Sequence, residues 1–483
     1  MDQPRFGAPR PRSQPSRWKY HRVSRSKGSR ARSRRAKGKW TVWAGVRRLF
    51  WSWWPWAIAA VALAYNEHWG WAAGSAALAT VSFLIAPKAE PPRYGLDNQF
   101  AVDSPEFLPT IAGVTNTAFS SGNSVELLNN GDEFYPRMLQ DIERAERSIT
   151  IEAYIYWAGD VGLKFARAIE DRARAGVTVK ILLDAIGSAT IGKDILDILE
   201  PACAVEWFNP IHWYTIGRFN NRTHRKSLII DGRLGYTGGA GIADHWKGNA
   251  ENPGSWRDMQ VRIAGPGITP LQAGFAENWR QTTGELISGD AFFPEIPAQG
   301  SLDLQTILSS PAAGGSSIRT MYYLSIACAR HSIYIANPYF VPDAVAIDML
   351  VEARKRGVEV RIMVSGIRND NWLARQNSVR LYGRLLEADI EILEFNRTML
   401  HQKTMVIDGL WGTIGTTNFD NRSFAHNEES NVCFFDRTLA GELHQTFLAD
   451  VDGCDAITID GWRRRGLWPR LQETAASVMQ EQA

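Results

Sequence analysis

Cysteine is scarce in this chain: 483 residues hold four, Cys203, Cys328, Cys433 and Cys454, with no C-x-x-C spacing. That scatter excludes a disulfide framework and a thiolate zinc site, and free thiols in a reducing compartment are expected. No G-x-x-x-x-G-K-[ST] phrase occurs, so nucleotide hydrolysis on a phosphate-binding loop is not indicated. Acidic residues are nearly missing from positions 1–48, which carry 16 Lys and Arg against Asp2 alone. Positions 49–483 carry 38 basic and 50 acidic side chains, so an overall charge of +3 conceals a body at −12. Such a body is poorly suited to a long polyanion. The basic tail contains Ser and Pro without apolar periodicity, cannot bury enough surface to fold, and is read as disordered. It either draws the chain to anionic headgroups or acts only as a topology signal.

Charge is also missing from two consecutive stretches, Leu49–Tyr65 and Trp69–Ala86, separated by Asn66-Glu67-His68. At 17 and 18 residues they sit at the lower edge of the length needed to span a bilayer, about 17 to 25 residues. Trp51, Trp53, Trp54, Trp56, Trp69 and Trp71 crowd their flanks, where amphipathic rings favour the headgroup level. A membrane helical hairpin is expected over 49–86, with two spans or a shallow re-entrant course. Both ends then lie on one side, and the basic leader makes that side the cytoplasm. An Arg- and Ser-rich start also has the composition of a transit peptide, which the adjoining apolar pair disfavours.

What is present twice is a phrase. His224-Arg225-Lys226-Ser227-Leu228-Ile229-Ile230-Asp231-Gly232 matches His401-Gln402-Lys403-Thr404-Met405-Val406-Ile407-Asp408-Gly409 as H-x-K-x-x-x-x-D. Small residues, Gly238-Gly239 and Gly415-Thr416, follow at the same offset. Two histidines can divide nucleophile and acid duties, and two ammonium groups can hold one phosphate. A lysine two residues from each histidine would repel a cation, so a metal site is not expected. Lone histidines at 245, 331, 426 and 444 are left as ordinary surface or core residues.

The duplicated phrase resembles that of the phospholipase D superfamily. The second copy continues as Gly415-Thr416-Thr417-Asn418 and Asn427-Glu428-Glu429-Ser430-Asn431, similar to the family's G-[STG]-x-N and N-x-E-x-N. Upstream, Ser148–Tyr156 is echoed by Ser332–Phe340, and the match spans roughly residues 124 to 470. Asn337-Pro338-Tyr339-Phe340-Val341-Pro342-Asp343 and the preceding apolar segment place the likeness nearest the bacterial cardiolipin synthases. The resemblance implies His224 as nucleophile and His401 as acid/base; the residues alone do not order them. It also implies Lys226 and Lys403 on the phosphate oxygens, Asn418 as a neutral donor, and Asp231 and Asp408 completing the motifs, supporting the turn. Glu429 is expected to orient His401, and Asp258 to orient His224. Gly241 stands where an asparagine would match Asn418, so the half-sites are not equivalent.

The resemblance further implies an α/β fold: two pseudo-twofold-related phospholipase D-like domains with mixed sheets, meeting at one cleft. Each half reads β-α-β: a strand Ile149–Tyr156, a helix Val161–Ala175 and a strand Val177–Leu183, then Ser332–Phe340, Ala344–Arg356 and Val358–Val364. Strands are expected at Ser227–Ile230 and Thr404–Ile407, with His and Lys of each motif on one strand face. The expected order is tail 1–48, hairpin 49–86, linker 87–120, first domain 121–293, connection 294–315, second domain 316–470 and C-terminal tail 471–483. The aromatic segment Phe208–Asn221 is read as packing or as a lip of the cleft. The implied activity is phosphatidyl transfer through phosphohistidine, from phosphatidylglycerol to phosphatidylglycerol, at the cytoplasmic membrane and without a cofactor. Hydrolysis to phosphatidic acid is the alternative and a nuclease the more distant one; no nucleic acid partner is expected.

Overall fold

The computed structural model describes residues 52–85, 100–211, 220–311 and 317–477. The basic tail, the first part of the expected linker, most of the aromatic segment at 212–219 and the last six residues lie outside these. The chain divides into two compact units, residues 1–86 and 87–483.

In the first unit, helices Trp53–Tyr65 and Trp69–Ile85 pair as a hairpin across a tight turn in which Glu67 has φ +61°. At 1.5 Å per residue their 13 and 17 residues extend about 20 and 26 Å, less than the roughly 30 Å hydrocarbon core. No described helix is long and apolar enough to cross a membrane.

The second unit is organised by one sheet of sixteen described strands. The first half contributes β1 (Ser120–Asn129), β2 (Ser148–Ala153), β3 (Thr178–Asp184), β4 (Ala204–Phe208), β5 (Arg222–Thr223), β6 (Ser227–Ile230), β7 (Leu234–Gly238) and β8 (Met259–Ala264). The second contributes β9 (Leu302–Ser309), β10 (Ser332–Ala336), β11 (Glu359–Ser365), β12 (Glu391–Phe395), β13 (Thr404–Ile407), β14 (Trp411–Gly415), β15 (Asn427–Phe435) and β16 (Cys454–Ala456). The order β12-β11-β10-β13-β14-β15-β9 meets β1-β8-β7-β6-β2-β3-β4 at an antiparallel β9–β1 seam. Each half is therefore the other read backwards, the expected pseudo-twofold. The halves share one continuous sheet rather than standing as separate domains. Parallel pairs (β2–β3–β4, β10–β11–β12) adjoin antiparallel ones.

Local chemistry explains the repeated elements. Helix Asp160–Arg174 buries Val161, Phe165 and Ile169, one stripe at spacings of four. The chain then passes through Gly176 at φ +95°, and Gly357 at +91° follows helix Ala344–Lys355 in the other half. These are left-handed helix stops that glycine takes without a Cβ penalty.

Three expected boundaries meet structured elements here. Residues 100–115 are not linker: Val102, Phe107 and Ile111 are fully buried, and helix Phe107–Thr115 packs on helix Ser317–Cys328. The connection 294–315 contains β9, the seam strand itself. Its apolar positions, Leu304 and Ile307, are buried in a Pro-, Ser- and Gly-rich context that hides a strand from composition. The expected C-terminal tail likewise contributes most of helix Leu467–Ala476.

Candidate active site

The motif strands β6 and β13 are short apolar runs buried on both faces, which is why Ser227–Ile230 and Thr404–Ile407 form where expected. Their histidines and lysines are not on the strands. His224–Lys226 and His401–Lys403 lie in the extended segments that enter them. Those segments are held by the opposite half. The His224 N–H donates to the Glu428 carbonyl at 2.9 Å, and the His401 N–H donates to the Arg257 carbonyl at 2.7 Å. β5 runs parallel beside β15, and Arg257 bridges to Leu400 in the same way.

This docking reverses the expected carboxylate assignment. His224 Nδ1 lies 3.0 Å from both Glu429 oxygens, and His401 Nδ1 lies 2.8 Å from Asp258 Oδ2. Glu429 therefore orients His224 and Asp258 orients His401, each from the other half. The physical reason is the seam: it brings β15 and the segment before β8 against the motif entry of the opposite half, not their own. An Nδ1–H donated to a carboxylate leaves the Nε2 lone pair available for chemistry.

All six side chains are buried, and Glu429 and Asp258 are wholly inaccessible. Burial, partly offset by Glu429, pushes His224 down to about 4. His401 is lowered as well, by burial and by Lys403, against the pull of Asp258. Lys226 falls to about 7 through burial and the facing Lys403, and Lys403 falls to about 8 through burial. Burial works to raise both carboxyls, but their histidine and lysine partners outweigh it and hold both below the ordinary range. The result is two imidazoles biased to the neutral form beside two lysines whose ammonium forms burial disfavours, a bias that a bound anion would relieve. Lys226 Nζ donates to the His224 carbonyl at 2.9 Å, and Lys403 Nζ donates to the His401 carbonyl. Asn418, three residues past the end of β14, is buried with its Oδ1 unpartnered among the described residues. Among those residues no cluster of His, Cys, Asp or Glu has the form of a metal site.

Asp231 and Asp408 stand elsewhere, at the far ends of β6 and β13. Each opens an Asp-Gly turn in which both residues take positive φ, 53° and 63° in one copy, 54° and 58° in the other. Asp-Gly is favoured where a hairpin turn needs that geometry twice. The Asp231 carboxylate accepts from the N–H groups of Glu146, Arg147 and Ser148, and Asp408 from those of Arg330, His331 and Ser332. They fasten the turn to the entry of β2 and β10, a contact that matches the turn-supporting role.

The Gly241 departure has a steric cause. A Cβ there would meet the Ile155 carbonyl oxygen at 2.8 Å and the Ile155 Cβ at 2.9 Å. Gly239, the counterpart of Thr416, is closed in the same way: a Cβ would fall 2.1 Å from Asp258 Oδ1. In the second half that place holds Thr416, whose hydroxyl donates to Glu429 at 2.5 Å. Reading the sequence missed Trp246, whose indole N–H donates to Asp258 at 2.8 Å. It also missed Tyr154, whose ring lies 5.1 Å from that of His224. Trp246 belongs to no repeated phrase, and Tyr154 lies in a repeated block whose likeness is one of strand pattern. Of the lone histidines, His245 packs between Trp157 and Trp256, and His444 stacks on Tyr334.

Comparison with known proteins gives one consistent direction. A family model described as "Cardiolipin synthase, PLD-like domain" matches residues 138–258 and 324–451. The chain is 31% identical over 394 residues to the major cardiolipin synthase of Bacillus subtilis (strain 168), covering 81% of this chain and 82% of that one. It is 32% identical over 369 residues to a cardiolipin synthase of Staphylococcus aureus (strain Mu50), covering 75% and 74%. Among solved structures, a phosphatidylserine synthase of Haemophilus influenzae Rd KW20 superposes with a TM-score of 0.59 at 14% identity, over 77% of this chain and 99% of that chain. At that identity the likeness concerns the fold.

Proposed function

The chain belongs to the cardiolipin synthase family of the phospholipase D superfamily, and on that footing we propose that it is a phosphatidyltransferase making cardiolipin and glycerol from two phosphatidylglycerols. The observation that carries this reading is the crossed centre: two imidazoles, each held by the other half's carboxylate, beside two buried ammonium groups. His224 Nε2 attacks the phosphorus of the first lipid. The P–O bond to its glycerol breaks, and His401 gives the departing alkoxide a proton. The phosphatidyl group is now on His224. A hydroxyl of the second lipid's glycerol attacks it, His401 takes that proton, and cardiolipin leaves with His224 restored. Lys226 and Lys403 hold the non-bridging oxygens throughout, with Asn418 adding a neutral donor. The anionic phosphodiester offsets the push of the two ammonium groups and so lifts His401 towards the range in which it donates.

The hairpin 52–85 is the membrane anchor in this reading. Its helix lengths favour a shallow re-entrant seat over two full spans, with the tail and the catalytic unit both on the cytoplasmic side. Purified full-length protein given phosphatidylglycerol as sole lipid should form more cardiolipin than phosphatidic acid. Added glycerol should drive cardiolipin back to phosphatidylglycerol, because transesterification is reversible. Phosphatidic acid as the dominant product, indifferent to glycerol, would make the protein a hydrolase.

A further inference from the structure

Helix Leu467–Ala476 is turned inside out. Its Leu467, Trp468 and Leu471 are 78%, 70% and 60% exposed. Spaced i, i+1 and i+4, they share one face. The opposite face buries Glu473 and Ala476. Glu473 is held there by Arg465, two bonds of 2.9 and 3.0 Å, and Arg465 in turn lies 4.1 Å over the Trp462 ring. The Asn377 amide donates to the Ala476 carbonyl, fastening the helix to helix Trp372–Leu386. An ordinary surface helix turns its leucines inward. Here polar anchors fix the helix so that the apolar stripe faces out.

The surroundings of that stripe are basic within a body that is otherwise net acidic. Arg463, Arg464 and Arg470 are all exposed around it. Arg463 pairs with Glu387 at 2.9 Å and its carbonyl accepts from Arg470. Exposed Trp and Leu ringed by Arg is the composition of an interfacial helix, apolar side chains in the acyl boundary and guanidiniums on phosphates. Trp372, which opens the helix that Leu467–Ala476 packs on, and Ile367 in the loop before it are 53% and 71% exposed. Between them, Asp370 accepts from the Tyr339 hydroxyl, and the Tyr339 ring lies 6.4 Å from His401.

We propose that the outward Leu467-Trp468-Leu471 face and its arginines dock the catalytic unit onto an anionic phospholipid surface. This rests on the lipid-transferase reading and deepens it, since it names the surface from which substrate is drawn. A photoreactive benzoylphenylalanine replacing Trp468 tests it in the full-length protein, reconstituted in vesicles of phosphatidylcholine with or without phosphatidylglycerol. Irradiation should give a lipid adduct, several-fold more abundant when phosphatidylglycerol is present. The combined Arg463→Gln, Arg464→Gln and Arg470→Gln changes should remove that gain. The same probe replacing Lys355, an exposed residue of another helix, should give little. A crosslink within the chain or between two copies as the main product, or a lipid yield no higher than from position 355, would overturn the proposal. Cardiolipin formation measured on the same vesicles reports separately on the transferase reading.

Discussion

His401 sits among rings, with Trp256 at 5.3 Å, Trp246 at 5.5 Å and Tyr339 at 6.4 Å, whereas His224 has Tyr154 at 5.1 Å and a more polar surround. Their carboxylates differ in the same sense. Asp258 is gripped by an indole N–H and the Met259 N–H; Glu429 by the Thr416 hydroxyl and the Asn427 amide. One half-site has Asn418, and the other has a glycine whose space is filled by Ile155. A duplicated motif has thus been placed in two unequal environments, and unequal environments are how a pair of like groups comes to divide acid and nucleophile duties.

The harshest way to break this comparison is to remove each imidazole. His224→Ala and His401→Ala should both lower turnover of phosphatidylglycerol by about 10⁴-fold or more, the combined scale of covalent and acid–base catalysis. The two should part company on an aryl phosphodiester with a nitrophenolate leaving group, which needs no proton. There His401→Ala should still form the labelled phosphoenzyme and His224→Ala should not. Label retained in His224→Ala but lost in His401→Ala would exchange the roles.

The crossed carboxylates come next. Glu429→Gln and Asp258→Asn should each cost about 10⁴-fold in kcat by misplacing a tautomer. Phosphoenzyme formation on the nitrophenyl substrate should be slowed by Glu429→Gln and nearly spared by Asp258→Asn. The opposite pattern would mean that each carboxylate serves its own half.

The Asn418–Gly241 difference is smaller. Asn418→Ala should lower kcat by about 10²-fold, the scale of one lost transition-state donor, with the melting temperature kept. Gly241→Asn should not restore symmetry: the crowding against Ile155 should cost about 1–3 kcal/mol of stability, seen as a lower melting temperature with no gain in rate.

The smallest effect is graded by pH. A phosphate analogue such as vanadate should bind the ammonium forms of Lys226 and Lys403, whose burial holds them near 7 and 8. Its affinity should be full below pH 7 and fall as pH rises through those values, by about tenfold per unit for each lysine lost. Calorimetric titration from pH 6 to 9 checks this, and Lys226→Ala should leave only the upper step. A flat profile would mean that the lysines keep their ordinary charge.

The duplicated phrase, the turn its Asp supports and the β-α-β rhythm were all legible in the chain. Each is a local pattern, set by side-chain periodicity or by the φ a single residue adopts. The candidate histidines, lysines and carboxylates were legible for the same reason, since a repeat compares the chain with itself. What could not be read locally was which carboxylate meets which histidine. Glu429 lies 28 residues after His401 and 205 before it meets His224 counted backwards along the chain. Only the antiparallel seam of β9 and β1 decides that the longer separation is the contact. The seam strand was hidden because its burial comes from its neighbours, not from its composition. Trp246 was hidden because nothing in the other half repeats it. The outward leucines of Leu467–Ala476 followed from the Arg465–Glu473 anchor, an orientation that apolar periodicity alone would have reversed. The sequence by itself determined the chemical groups and their local geometry; the tertiary structure decided their partners, because a contact across a sheet seam carries no local signal.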